Sequence, residues 1–582
     1  MRRPFQCHFA LFKTHCKPRR TAFVSLVDKV QVACLTSEAK FTYKRDSDNG
    51  SFRRMRSGAT ATDNGPDPSF GFSAVSFIAY VGFKAINVLY VPHFVYRLFR
   101  KPKRCVPICD DVLRMPAGVL AGKIRNREIS CENVIQTYVA RVREVNPFIN
   151  AVIEDRFQEA LEEARKVDEL LTSGNVPADR PLLGLPLSVK GSLSVEGLRN
   201  TAGVVGRNDV AECDAPAVRR ARVAGAIPLL TSNVPELCMD WETSNKLVGS
   251  TKNPYDVTRT AGGSSGGEAS LLASGASLLS LGSDMAGSLR LPAHFCGVYG
   301  HKPSPGVVSN KGHYPDCRDR PRWDRAFVVG PMARYASDLR LLLRSVAVPE
   351  ALDRLALDEN VNLRRIKVRY LRGIDSYHCD EPRADVAAAV DSIVRHFANI
   401  CESAVTELDA PVMKYIPEVA ALCLLDIDDV ENIFKGRGEG CFAELFRYCT
   451  LRSDHTLMAI LYGFARRAHG LVPARVLEEA RRYLGQMENS IAEALGPSGV
   501  LVMPVYPRAA YRHADSLRKT LVSGYLSIFN ALGFPVTSCP VGRTRDGLPV
   551  GVQIVALPDG DRLTLAVAEE IERAFGGWKP PQ

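Results

Sequence analysis

Three segments of this chain carry side chains whose types and spacing could do covalent chemistry on a carbonyl. The first is Thr260–Ser270, TAGGSSGGEAS, where four glycines surround Ser264 and Ser265. Such glycines reach backbone angles closed to other residues and let amide N–H groups approach a ligand. A phosphate cradle of the P-loop type would need a closing GK[ST], which is missing. A nucleophile elbow is matched in letters by Gly263-Ser264-Ser265-Gly266-Gly267, but it needs a strand just before it. The preceding Asn253–Arg259 is polar and broken by Pro254. The third reading is a loop that presents a serine hydroxyl to a second site, and an ordinary Gly/Ser turn is the plain alternative.

The second segment is Ser283–Pro292, SDMAGSLRLP. The apolar run Ala276–Leu281 leads into it, and small residues just before Ser288 let successive N–H groups converge on one point, as an oxyanion hole requires. Alone it would pass for a tight turn with a capping serine. The third is Lys190, which closes the apolar stretch in Gly184-Leu185-Pro186-Leu187-Ser188-Val189-Lys190-Gly191. Burial disfavours the charged form of an amine. Lys190 therefore either reaches water where a strand ends or serves, uncharged, as a general base.

These residues must be placed by a scaffold, and the sequence outlines one. Ser130 with Glu132 can cap a helix whose apolar stripe is Val134, Ile135, Tyr138, Val139 and Val142. A second helical stretch covers Phe157–Leu171. Short apolar runs at Leu185–Val189, Ala226–Leu230, Val500–Met503 and Val550–Ala556 read as buried strands between helices. That alternation predicts an α/β fold with a mostly parallel or mixed sheet. No internal repeat or long linker appears, so residues 115–578 form one catalytic domain.

The chain has 582 residues, 46% apolar and 24% charged, ordinary for a globular protein. Of its net +11, about +8 lies in residues 1–66, which hold 13 Lys/Arg against 5 Asp/Glu. The body is close to neutral and has no basic run to track phosphates, so no nucleic acid is expected as partner. Residues 1–66 read as a basic, disordered leader. Residues 70–99 are rich in Phe, Tyr, Val and Ile and are followed by Arg100, Lys101, Lys103 and Arg104. They are long enough to span ~30 Å of hydrocarbon, yet they contain Lys84. The segment either spans a membrane or lies on its surface, with a buried helix as the alternative; the expected location is therefore membrane-associated. Sixteen cysteines are too dilute for a disulfide framework and show no zinc-type pairing.

Taken together, GLPLSVK, GGSSGG and SDMAGS-R, with Ser264 and Ser288 separated by 24 residues, resemble the amidase signature family. Thr251-Lys252-Asn253-Pro254, GVYGHKP at 297–303 and PVGRTRDGLPVGVQI within 534–554 agree with it. The resemblance covers about residues 115–578. Asn233-Val234-Pro235-Glu236, GHKPSPGVVSNKG, GPMARYASDL and the apolar segment ahead of the domain are similar to the fatty-acid amide hydrolases within that family.

The resemblance implies an amidase signature fold: a large twisted mixed β-sheet surrounded by α-helices, with an N-terminal membrane-associating helix. It implies a Ser-Ser-Lys triad of Lys190, Ser264 and Ser288 that cleaves lipid amides through an acyl-enzyme. Backbone N–H groups of Met285, Ala286, Gly287 and Ser288 would hold the oxyanion. Ser265, Asp284 and Arg290 would support the loops, and Cys238 would line the carbonyl site. No cofactor and no metal are implied, and a homodimer is compatible with the pattern. Two positions depart from the family. Gly191 stands where relatives commonly carry an acid, and Ala286 replaces a glycine. The rival readings are a general amidase, a glutamine amidotransferase subunit, and a membrane-anchored pseudoenzyme. Phe434, Phe442, Leu445, Phe446, Leu457 and Leu461 are candidates for an acyl channel or membrane-facing cap, or else for ordinary core.

Overall fold

The short apolar runs assemble into a single sheet of eleven strands. The computed structural model describes residues 41–45, 52–56, 68–69, 71–77 and 103–581, apart from 175–178, 377, 435–439 and 517–523. In chain order the strands are Val152–Asp155 (β1), Pro186–Lys190 (β2), Ile227–Ser232 (β3), Leu279–Asp284 (β4), Tyr299–Lys302 (β5) and Val328–Ala333 (β6). Lys367–Tyr370 (β7), Thr406–Glu407 (β8), Gly499–Pro504 (β9), Val536–Arg543 (β10) and Pro549–Val555 (β11) complete it.

Their spatial order is β8-β7-β9-β11-β10-β5-β6-β4-β2-β3-β1. Strand pairs are parallel in the two flanks, β8-β7-β9 and β4-β2-β3, and antiparallel between them. β1 closes one edge antiparallel to β3. Every residue of β2, β3, β4, β6, β9 and β11 is buried. Helices cover both faces of such strands, which is why they read as continuous apolar runs instead of alternating ones.

Both helices read from the sequence are present. Cys131–Ile149 (α1) buries Val134, Ile135, Tyr138, Val139 and Val142, and the Ser130 hydroxyl caps it by accepting from Asn133 N–H at 3.2 Å. Phe157–Thr172 (α2) follows. Gly266–Ala273 (α3) and Arg290–Cys296 (α4) are short and buried on all sides, so they lie inside the domain. Cys441–Cys449 (α5) and Leu457–His469 (α6) form an amphipathic pair, and Gly524–Ala531 (α7) is fully buried.

One expectation is overturned. The polar stretch before the Gly/Ser loop is a strand, Asp256–Thr260, paired antiparallel with Lys252–Asn253 in a small separate sheet. Side-chain bonds replace apolar alternation here. Asn253 Nδ2 donates to Thr260 O at 3.2 Å and to Phe295 O at 2.8 Å, while Asp256 Oδ1 accepts from Thr258 N–H at 2.9 Å.

Residues 1–74 form one unit and Val75–Gln582 another. Within the first, Phe41–Arg45 pairs antiparallel with Phe52–Arg56. Of the segment 70–99, residues 71–77 are helical and the remainder lies outside the described residues. Among the described residues no helix is long and apolar enough to cross a membrane.

Candidate active site

Lys190 ends β2, a strand held in parallel by β3 on one side and β4 on the other. The side chain is entirely buried. Its Nζ donates to or accepts from the Ser264 hydroxyl at 2.7 Å, and lies 2.9 Å from Ser283 Oγ and 3.3 Å from Ser283 O. All three partners are uncharged. The carboxyl of Glu268, in the first turn of α3, is pushed up to about 7 by burial, against the downward pull of the Ser232 hydroxyl and the Lys190 charge. Its Oε1 accepts from Ser232 Oγ, and its Oε2 has no partner.

Gly191 donates its N–H to Ser232 O at 3.1 Å, and a Cβ at this position would lie 2.4 Å from that same oxygen. No side chain fits beside the lysine without moving β3.

Ser264 sits where the strand Asp256–Thr260 passes through the glycine loop into α3. Thr243 braces the turn: its hydroxyl donates to Gly262 O at 2.9 Å and accepts from Gly266 N–H at 3.1 Å. The Gly263–Ser264 peptide is cis. Gly267 packs against the Asn233 backbone so tightly that a Cβ would stand 2.5 Å from Asn233 O. Ser265 links the two serine loops: its N–H donates to Ser288 O at 3.1 Å, and its hydroxyl donates to Ser283 O at 3.3 Å.

Ser288 lies in the turn between β4 and α4 and is 7% exposed. The structure therefore joins Lys190 to Ser264 directly, and links the backbone of Ser265, the next residue, to that of Ser288. No hydrogen bond connects the Ser264 and Ser288 hydroxyls themselves. Catalytic hydrogen bonds are often loose in an unliganded site and tighten around substrate.

The turn is held from below by a buried ion pair. Arg290 Nε and Nη2 each reach an Asp284 carboxylate oxygen at 3.1 Å, with both side chains fully buried. Arg290 also donates to Asn530 Oδ1 at 2.6 Å, Leu526 O at 2.9 Å and Gln553 Oε1 at 3.3 Å. Asp284 accepts from Gly287 N–H at 2.7 Å and Leu289 N–H at 3.0 Å. Burial alone would raise its pKa; the Arg290 charge and these donors outweigh it and hold the carboxyl well below the usual carboxylate range.

Gly287 N–H is thus committed to Asp284, which narrows the expected oxyanion donors to Met285, Ala286 and Ser288. Those three N–H groups have no hydrogen-bond partner among the described residues, and Met285 and Ala286 are half-buried. Gly287 itself has φ +106°, and a Cβ there would lie 2.5 Å from Leu526 Cβ.

Cys238 is a free, half-buried thiol with φ +58°, next to Leu237 at φ +53°. Its segment runs past both serine loops. Trp241 Nε1 donates to Ala286 O at 3.1 Å, and Gly263 sits against the backbone of Asp240 and Trp241.

Sequence reasoning missed Ser283, Ser192, His313 and Thr243, and also Asn530 and Gln553, which brace Arg290. Ser283 stands inside a motif that was recognised, one residue before Asp284. The others arrive from separate strands and loops, where no local pattern marks them.

A family model described as Amidase matches residues 133–565. Fatty-acid amide hydrolase 2-A of Danio rerio is 38% identical over 530 residues, 87% of this chain and 96% of the relative. Fatty-acid amide hydrolase 2 of Homo sapiens is 35% identical over 539 residues, 88% of this chain and 97% of the relative. A solved structure of a fatty acid amide hydrolase superposes with a TM-score of 0.65 at 20% identity, covering 80% of this chain and 86% of that one.

Proposed function

The chain belongs to the amidase signature family and is an amide-cleaving hydrolase, and from that premise we propose that it hydrolyses lipid amides to fatty acid and amine through Lys190, Ser264 and Ser288. The observation that carries the reading is the 2.7 Å contact between a wholly buried lysine amine and the Ser264 hydroxyl, with only neutral groups in hydrogen-bond reach.

In this mechanism Lys190 acts unprotonated. It takes the proton of Ser264 as Ser264 takes that of Ser288, and Ser288 Oγ attacks the amide carbonyl. The N–H groups of Met285, Ala286 and Ser288 receive the developing oxyanion, a contribution on the order of 3 kcal/mol per critical donor in comparable holes. The relay then reverses and delivers the proton to the departing nitrogen, which an amide needs because its amine is a poor leaving group. Water resolves the acyl-enzyme. No step calls for a histidine or a metal.

Two features favour a lipid substrate taken from a membrane. One is the apolar segment 70–99 with its basic flank. The other is an exposed face on α5, α6 and their turns. Phe442 and Phe446 on α5 are 63% and 69% exposed, Leu451 and Leu471 after the two helices are 93% and 78% exposed, and the Arg467 guanidinium lies over the Phe442 ring at 5.6 Å. Exposed apolar side chains beside a cation suit an anionic lipid interface. Phe442 and Phe446, candidates in the sequence for an acyl channel or a membrane-facing cap, are exposed, which favours the cap.

The test is release of fatty acid from a panel of long- and short-chain amides by the purified full chain, read by mass spectrometry. Unaided hydrolysis of a long-chain amide, abolished in Ser288→Ala together with fluorophosphonate labelling, is the expected result. Preference for short amides would leave a general amidase. Activity that appears only with added subunits would leave an amidotransferase component. Absence of labelling in the wild type would leave a pseudoenzyme.

A further inference from the structure

Besides Ser264, the Lys190 amine meets a hydroxyl that is itself shared. Ser283 Oγ lies 2.9 Å from Lys190 Nζ and 3.1 Å from His313 Nε2. The other ring nitrogen, Nδ1, lies 2.9 Å from Pro315 O, which can only accept. The ring proton therefore sits on Nδ1, and Nε2 presents a bare lone pair. Burial, ahead of any charge on Lys190, pushes the His313 pKa below its ordinary value, so the ring is neutral.

The ring is also fixed in place. It packs on Phe327 with centroids 4.5 Å apart, and Ser192 Oγ, 2.9 Å from Nε2, is a second hydroxyl donor that shares this lone pair with Ser283. A backbone bridge joins His313 to Leu193, and Tyr314 N–H donates to Ser192 O at 2.8 Å.

We propose that His313 is a positioning residue: by accepting the Ser283 hydroxyl proton at Nε2, it leaves Ser283 Oγ only its lone pairs toward Lys190 and so reserves the amine's own lone pair for Ser264. A neutral amine has two N–H donors and one lone pair. Ser283 O can only accept, and takes one N–H. Ser283 Oγ, with its proton drawn to His313, takes the other. What remains for Ser264 is the lone pair, the orientation a base must have. Without an acceptor at Nε2, the Ser283 proton is free to turn onto the amine. It would then occupy the lone pair and leave Ser264 facing an N–H, with the relay reversed. His313 touches neither substrate nor nucleophile and acts through Ser283 alone.

The inference rests on the reading of Lys190 as base, and the experiment separates the two. His313→Phe keeps a ring against Phe327 and His313→Met keeps similar bulk without it; both lack a strong acceptor. Each should lower kcat for a lipid amide about 10- to 100-fold, a part of the range general-base catalysis supplies, with KM within about twofold. His313→Gln, which restores an acceptor, should recover most of the loss. In a Ser283→Ala background, adding His313→Phe should change kcat by less than about twofold, because coupled groups do not add. Full activity in both the Phe and Met variants, or losses that add in the double variant, would overturn the inference while the hydrolase reading stands. A wild-type enzyme that neither cleaves amides nor reacts with a fluorophosphonate would bring down the hydrolase reading itself.

Discussion

Two of the fully buried basic side chains of this domain, Lys190 and Arg290, are surrounded in opposite ways. Arg290 meets a carboxylate with two nitrogens, and three further acceptors take its other N–H groups. Lys190 meets two hydroxyls and a carbonyl. A guanidinium does not give up its proton in a protein, and pairing it with an anion fixes both charges permanently. Lys190 has no carboxylate within hydrogen-bond reach, and a hydroxyl beside an amine can either donate or accept. The first arrangement is a rivet under the Ser288 turn. The second sets hydroxyls against the amine, the arrangement the proposed relay uses.

The largest effect should come from breaking the second environment. Lys190→Ala is expected to lower amide turnover by about 10³-fold or more, at the upper part of what acid–base groups contribute. Ester turnover should fall less, because an ester's leaving group needs less protonation. Equal losses on matched amide and ester substrates would argue against the relay.

Breaking the first environment should show in folding as well as in rate. Asp284→Ala strands the Arg290 charge and is expected to destabilise the domain by about 3–5 kcal/mol, measured by urea unfolding. Because the Asp284 carboxyl is held below its ordinary value, its stabilisation is present above about pH 4 and is lost as pH falls toward the depressed value. The variant should therefore differ from wild type most at neutral pH and converge with it in acid.

Glu268 sharpens the contrast from the other direction. Its folded-state pKa of about 7 lies above the ordinary 4.5, so its contribution to stability is complete below about pH 4.5 and is lost as pH rises through 7. Glu268→Gln should gain stability over wild type between those values, up to about 3 kcal/mol by pH 8. A thermal-melt difference that does not grow with pH would contradict the assignment.

The smallest effect is expected at the turn that carries Ser264. Thr243→Val keeps the shape but removes the hydroxyl that binds Gly262 O and Gly266 N–H. About 1–3 kcal/mol of stability should go with it, since the buried Gly266 N–H loses its partner and Gly262 O keeps only the Thr243 N–H.

Much of this could be read from the chain. Both capped and uncapped helices, and the strands that hold Lys190 and lead to Ser288, announce themselves because burial on two faces demands unbroken apolar runs such as Leu185–Val189. Ser264, Ser288 and Lys190 stand in segments too dense in glycine and small residues to be plain core. The strand Asp256–Thr260 was hidden because asparagine and aspartate side chains build it instead of apolar alternation. His313 and Ser192 were hidden for a different reason. A hydrogen bond between residues 121 positions apart leaves no periodic trace in either neighbourhood.

The missing Cβ of Gly191 bears on any attempt to retune this centre. Introducing an aspartate or glutamate there, to strengthen the base with a nearby negative charge, would drive its first side-chain carbon into the Ser232 carbonyl. The ionisable side chains nearest the lysine stand instead on α3 at Glu268 and on the loop at His313. A different pH optimum would have to be sought through those two side chains and not through a new acid next to the lysine.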